Sequence, residues 1–157
     1  RHSSFVTRHW RNMASPFTPE NAASRARLEA FIGGLTDEEL RRATPYGGTV
    51  AGLLAHLAFW ERRVTVLLRR WKAGGVDDAP TDANMINDAL LPILAALEPR
   101  AAADLCLRAM AEADAEVETT TPELVAAIEA SAAFMRLNRS LHRLGHLKDI
   151  EGVVRGQ

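Results

Sequence analysis

The segment His142-Arg143-Leu144-Gly145-His146 sets two imidazoles four residues apart. On a helix that spacing stacks them one turn apart on one face, close enough for both to bind one cation. Neutral imidazole is a good ligand for Zn, Ni and Cu. A third histidine, His56, sits far upstream near the edge of an apolar stripe formed by Leu53, Trp60, Val64, Leu67 and Trp71 at about 100° per residue. Read singly, the pair is equally a solvated one and His56 a hydrogen-bonded core histidine. Read together, His56, His142 and His146 point to one divalent metal ion.

Asp149 projects about 20° from the direction of His142 on a helix. It is either a fourth ligand or an acceptor for the remaining N–H of His146. Three histidines leave open coordination positions, as in reactive rather than closed structural sites. Such a site can lower the pKa of bound water or hold a thiol as thiolate. Glu61, about 140° around the helix from His56, reads as a surface acid. Cys106, flanked by Leu105 and Leu107 with no adjacent base, reads as packing. Trp60 and Trp71 read as core. Arg62, Arg63, Arg69 and Arg70 read as a solvated face that can also draw an anionic thiol to the pocket mouth. Asn138, one turn before His142, lines the pocket or is a plain polar surface position.

Positioning these residues requires helices. Thr18-Pro19-Glu20 offers a hydroxyl cap, a first-turn proline and an acid, and predicts a helix to about Ile32 that stops at Gly33-Gly34. A short helix follows Thr36. After the turn Tyr46-Gly47-Gly48, Thr49 caps the most regular helix, which ends near Ala73. Asp82 caps a helix that is disturbed at Pro92 and closed at Pro99. Another covers about 100–118. Thr121-Pro122-Glu123 repeats the start signal, and the chain is then helix-compatible to about Val153. More than 30 residues is long for one helix in a small domain, so a break is expected between Glu129 and Phe134. The sum is an all-α four-helix bundle with short additional helices.

Bulk composition narrows the class. At 157 residues, 47% hydrophobic and 25% charged, the chain suits one globular domain. Residues 1–12 hold three Arg, two His and no acid, and precede Met13-Ala14-Ser15-Pro16, which resembles a translation start. We read 1–12 as a non-native or disordered segment, set His2 and His9 aside with it, and assign 13–157 to a single domain. The formal charge of −1 then becomes −4, with 16 Lys+Arg against 20 acids. That balance speaks against nucleic acid as a partner. A lone Cys106 fits a reducing cytoplasm, and no apolar run approaches the roughly 20 residues of a membrane span.

Two stretches resemble a known family. Thr49-Val50-Ala51-Gly52-Leu53-Leu54-Ala55-His56-Leu57-Ala58-Phe59-Trp60-Glu61 is similar to the second-helix motif of the DinB-like (DinB/YfiT) superfamily. Asn138 to Glu151, with His142 and His146, resembles its other signature, and Ile86-Asn87 falls in a stretch similar to the one after the second helix. The resemblance runs from about residue 20 to 153. It implies an up-down-down-up bundle with a long crossover, often dimeric, binding Ni or Zn through three histidines. Members with assigned activity include S-transferases that use low-molecular-weight thiols and a mycothiol-dependent isomerase. Two departures stand out. Gly48 occupies a place where the family often has Trp, which would loosen the helix entrance, and Asp149 replaces a frequent Gln. The resemblance thus implies a metal-dependent thiol S-transferase or hydrolase acting on a small electrophile, as a homodimer. The alternative is a non-catalytic stress-response protein in which the ion staples two helices.

Overall fold

The computed structural model describes residues 15–131 and 136–156. The expectations for residues 1–12, including His2 and His9, lie outside them. Among the described residues the chain forms seven helices: α1 (Thr18–Gly33), α2 (Asp37–Arg41), α3 (Val50–Gly74), α4 (Ala83–Ala95), α5 (Pro99–Glu118), α6 (Pro122–Ala130) and α7 (Ser140–Arg155). None is long and apolar enough to cross a membrane.

Most starts follow the capping chemistry written in the sequence. The side chains of Thr36, Thr49, Asp82, Glu98 and Thr121 each accept from a backbone N–H in the first turn of the next helix. Thr18 does not: it lies inside α1, Phe17 takes the cap position, and the Thr18 hydroxyl has no partner. The expected break falls after Ala130, where Ser131 turns extended. Pro92 does not end α4, which continues to Ala95. This helix buries no residue, so water can reach the Asp88 carbonyl that a proline leaves without a donor.

Cross-helix pairs give the direction of each long helix. Asn21 bonds the Leu137 carbonyl and, further along, Arg27 pairs with Glu151, so α1 and α7 run parallel. Arg25 pairs with Asp114 while Arg100 reaches back to Leu35, so α5 runs against α1. Arg62 to Glu112 and Lys72 to Thr119 set α3 parallel to α5. The resulting order is up, down, down, up, with α1 and α3 on opposite corners and α4 laid across α3.

The core divides in two along α3. Leu54, Leu57 and Ala58 pack with Leu28, Leu40, Met110 and Ile150, while Leu68 and Trp71 pack with Val117, Ile128 and Leu137. Each fully buried leucine contributes about 1.5–3 kcal/mol. The centre of the buried α3 face runs through Leu54, Ala58, Glu61, Thr65 and Leu68. The apolar stripe with Leu53 and Trp60 therefore lies to one side of it, and those two are only half-buried.

At the entrance to α3, Gly47 and Gly48 take positive φ values of 82° and 75°. A tryptophan at 48 would be strained there, which accounts for the departure from the family pattern. The entrance is not loosened, because Thr49 Oγ1 still accepts from Gly52 N at 3.1 Å.

Candidate metal centre

α3 and α7 run antiparallel, and this brings His56 onto the pair carried by α7. Ring centroids are 5.0 Å apart for His56 and His146, 5.9 Å for His56 and His142, and 4.6 Å for His142 and His146. Each ring offers one nitrogen to a group whose members all lie within 4.8 Å of one another. His142 Nε2 and His146 Nε2 are 3.1 Å apart. Two imidazole nitrogens on one ion at 2.0–2.1 Å stand roughly 2.9–3.4 Å from each other, so this spacing suits a shared cation.

Protonation favours the same chemistry. Burial, then the neighbouring His146, pushes His56 down to about 4. Burial, with His146, Arg139, His56 and Arg143 adding to it, pushes His142 down to about 3. Burial also lowers His146, against the opposing pull of Asp149. The lowered values favour neutral imidazoles near neutral pH, the form in which a ring nitrogen carries the lone pair a Lewis acid needs.

Asp149 stands outside this group, with Oδ2 3.5 Å from His146 Nδ1, and its other oxygen accepts from the Tyr46 hydroxyl at 3.1 Å. On the far side of the cluster, Arg139 Nη2 lies 3.3 Å from His142 Nδ1.

Two cavities meet at the histidines. One, of about 520 Å³, is lined by Trp60, Arg63, Arg136, Asn138 and Arg139 besides all three rings. The other, of about 390 Å³, is lined by Tyr46, Asp88, Leu91 and Asp149 and shares His56, His146 and Asn87 with the first. The larger holds arginines and no carboxylate; the smaller holds two carboxylates and no cation. Asn87 on α4 ties the crossover to the site by accepting from Trp60 Nε1 at 3.1 Å.

Several sequence expectations change here. Glu61 is no surface acid: its side chain is 0% exposed. The turn away from His56 points it into the bundle, where Arg143 and Arg139 bond it. Trp71 is core, while Trp60 forms cavity wall. Arg62, Arg69 and Arg70 are exposed and pair with Glu112, Glu116 and Asp77, but Arg63 is half-buried over the Trp60 ring. Asn138 does line the larger cavity. Cys106 is packed in the core, its thiol pushed up to about 12 by burial and by the nearby Glu61. Arg139, Arg143, Tyr46 and Asn87 were given no role at the site from the sequence. The available signals were the Arg139/Arg143 pair, four apart and offset by three residues from His142/His146, and the family-like stretch that holds Asn87.

No curated protein and no solved structure matches the chain. The family model described as the mycothiol maleylpyruvate isomerase N-terminal domain matches residues 22–140, a span that includes His56 and ends two residues before His142. The chain therefore belongs to the mycothiol maleylpyruvate isomerase N-terminal domain family, within the DinB/YfiT-like superfamily of helical metal-binding proteins.

Proposed function

We propose that His56, His142 and His146 hold one divalent ion, Zn or Ni, and that the protein is a metal-dependent enzyme using a low-molecular-weight thiol on a small electrophile. The observation carrying this reading is the set of three imidazoles whose ligand nitrogens lie within 4.8 Å of one another, placed where two cavities meet. An ion with three protein ligands supplies Lewis acidity and open positions for a thiol or water. The Asp149 carboxylate faces His146 Nδ1 at 3.5 Å and orients the ring; Trp60 and Asn87 wall the space around it. Two cavities of opposite polarity accommodate two reactants, an anionic one beside Arg63 and Arg136 and a donor-rich one beside Asp88 and Asp149.

The test is metal content together with turnover. Purified protein is expected to carry about one Zn or Ni per chain, lost in His56→Ala and His146→Ala. Metal-loaded protein is expected to consume mycothiol or another small thiol with a generic electrophile. A protein that binds metal yet consumes no thiol favours the second reading, an ion stapling α3 to α7 without turnover. That reading draws on the placement of the ligands on two different helices.

A further inference from the structure

The surroundings of His142 are the reverse of those of an ordinary metal-bound histidine. A ligating imidazole normally donates its other N–H to a carboxylate or carbonyl. Beside His142 Nδ1 stands Arg139 Nη2, at 3.3 Å, and a guanidinium has donors and no acceptor. The contact is a hydrogen bond only when Nδ1 carries a lone pair. The single proton of neutral His142 then sits on Nε2, the nitrogen facing the site. His146 Nε2, 3.1 Å away, must accept it. That leaves the His146 proton on Nδ1, toward Asp149 Oδ2 at 3.5 Å. The Tyr46 hydroxyl donates to the other Asp149 oxygen. From Arg139 through both rings donors and acceptors alternate in one direction, toward Asp149, whose Oδ2 lies 3.5 Å from His146 Nδ1 without closing a hydrogen bond. Reversing either ring sets two donors face to face.

We propose that Arg139 is a positioning residue that sets the tautomer of His142, and that the hydrogen-bonded cluster it creates competes with cation binding. The proposal rests on reading the three histidines as a metal site. Coordination through His142 Nε2 requires the proton to leave that nitrogen for Nδ1 or for solvent. On Nδ1 it meets the guanidinium, so filling the site drives Arg139 away from the ring. Arg139 is not free to swing. Its side chain is 8% exposed, its Nε donates to Glu61 Oε1 at 3.3 Å, and its Nη1 donates to the Arg136 carbonyl at 3.2 Å. Occupancy of the cluster is thereby coupled to the buried ion network beneath it.

Two measurements test this. In metal-free protein, long-range ¹⁵N–¹H correlation spectra are expected to show His142 protonated at Nε2 and bare at Nδ1; a proton on Nδ1 overturns the proposal. Zn²⁺ affinity, read by competition with a chromogenic chelator, is expected to rise about tenfold in Arg139→Gln, whose amide oxygen can accept from Nδ1–H. Arg139→Lys, still a donor only, is expected to stay near the parent. A residue with a merely structural role would weaken binding in both variants. Weaker or unchanged binding by folded Arg139→Gln overturns the proposal, and if that variant does not fold the tautomer decides alone. A parent that binds no Zn²⁺ yet shows His142 protonated at Nε2 supports the tautomer assignment and overturns the metal reading instead.

Discussion

Arg143 holds Glu61 across the α3–α7 interface through two hydrogen bonds, Nε to Oε1 at 3.2 Å and Nη2 to Oε2 at 2.8 Å, with both side chains at 0% exposure. The guanidinium also bonds the Asn21 and Met110 carbonyls and pairs with Asp114. All four long helices thus meet on one side chain. Because Arg143 adjoins His142, this grip sets the rotation of α7 and so aims His142 and His146 at His56.

Breaking that pair is costly because it leaves a buried charge uncompensated. Glu61→Ala is expected to lose about 3–5 kcal/mol of unfolding free energy in urea titrations. The double variant Glu61→Leu with Arg143→Met, which removes both of these charges but leaves Arg139 without Glu61, is expected to recover part of it. A double variant no more stable than Glu61→Ala would show that the pair also supplies irreplaceable geometry.

Metal binding should appear as stability, since the three ligand rings are assembled only in the folded chain. Zn²⁺ at a hundred times its dissociation constant adds about 2.7 kcal/mol and raises the melting temperature by several degrees. A chelator should reverse the shift, and His56→Ala should abolish it. An equal shift in His56→Ala would place the ion elsewhere.

Asp149 is expected to act through His146. Asp149→Asn should weaken Zn²⁺ binding roughly 10-fold to 100-fold. Tyr46→Phe, which removes only a donor to the far oxygen, should weaken it less. Metal titrations of the two variants give the ranking, and the opposite order would dismiss the outward role assigned to Asp149.

Cys106 should be inert while the protein is folded. Its thiol is pushed up to about 12, above its ordinary value, so the reactive thiolate is withheld across the neutral and mildly alkaline range. An aromatic disulfide reagent at pH 8 is expected to label it only after denaturant is added. Fast labelling of native protein would mean that the α5 face opens.

Much of the helical layout was readable from local chemistry, because caps, prolines and glycines act over three or four residues. Thr49, Asp82 and Thr121 capped where their hydroxyl or carboxylate said they would. Thr18 misled: it lies inside α1, and the adjacent Phe17 takes the cap position. Glu61 misled for a different reason. An acid on a helix looks solvated until its partner is known, and its partner lies 82 residues away on α7.

The sequence alone determined that His142 and His146 share a face, because a four-residue spacing on a helix admits nothing else, and it marked His56 as a candidate third ligand. The antiparallel pairing of α3 with α7 decided that the three meet. The buried Glu61–Arg143 contact decided how the rings are aimed, and Arg139 decided which nitrogen of His142 faces a donor. The first two are relations between segments more than 75 residues apart in the chain, set by packing and buried charge, and no local pattern encodes them; the Arg139–His142 contact spans three residues but is held in place by the same buried charges.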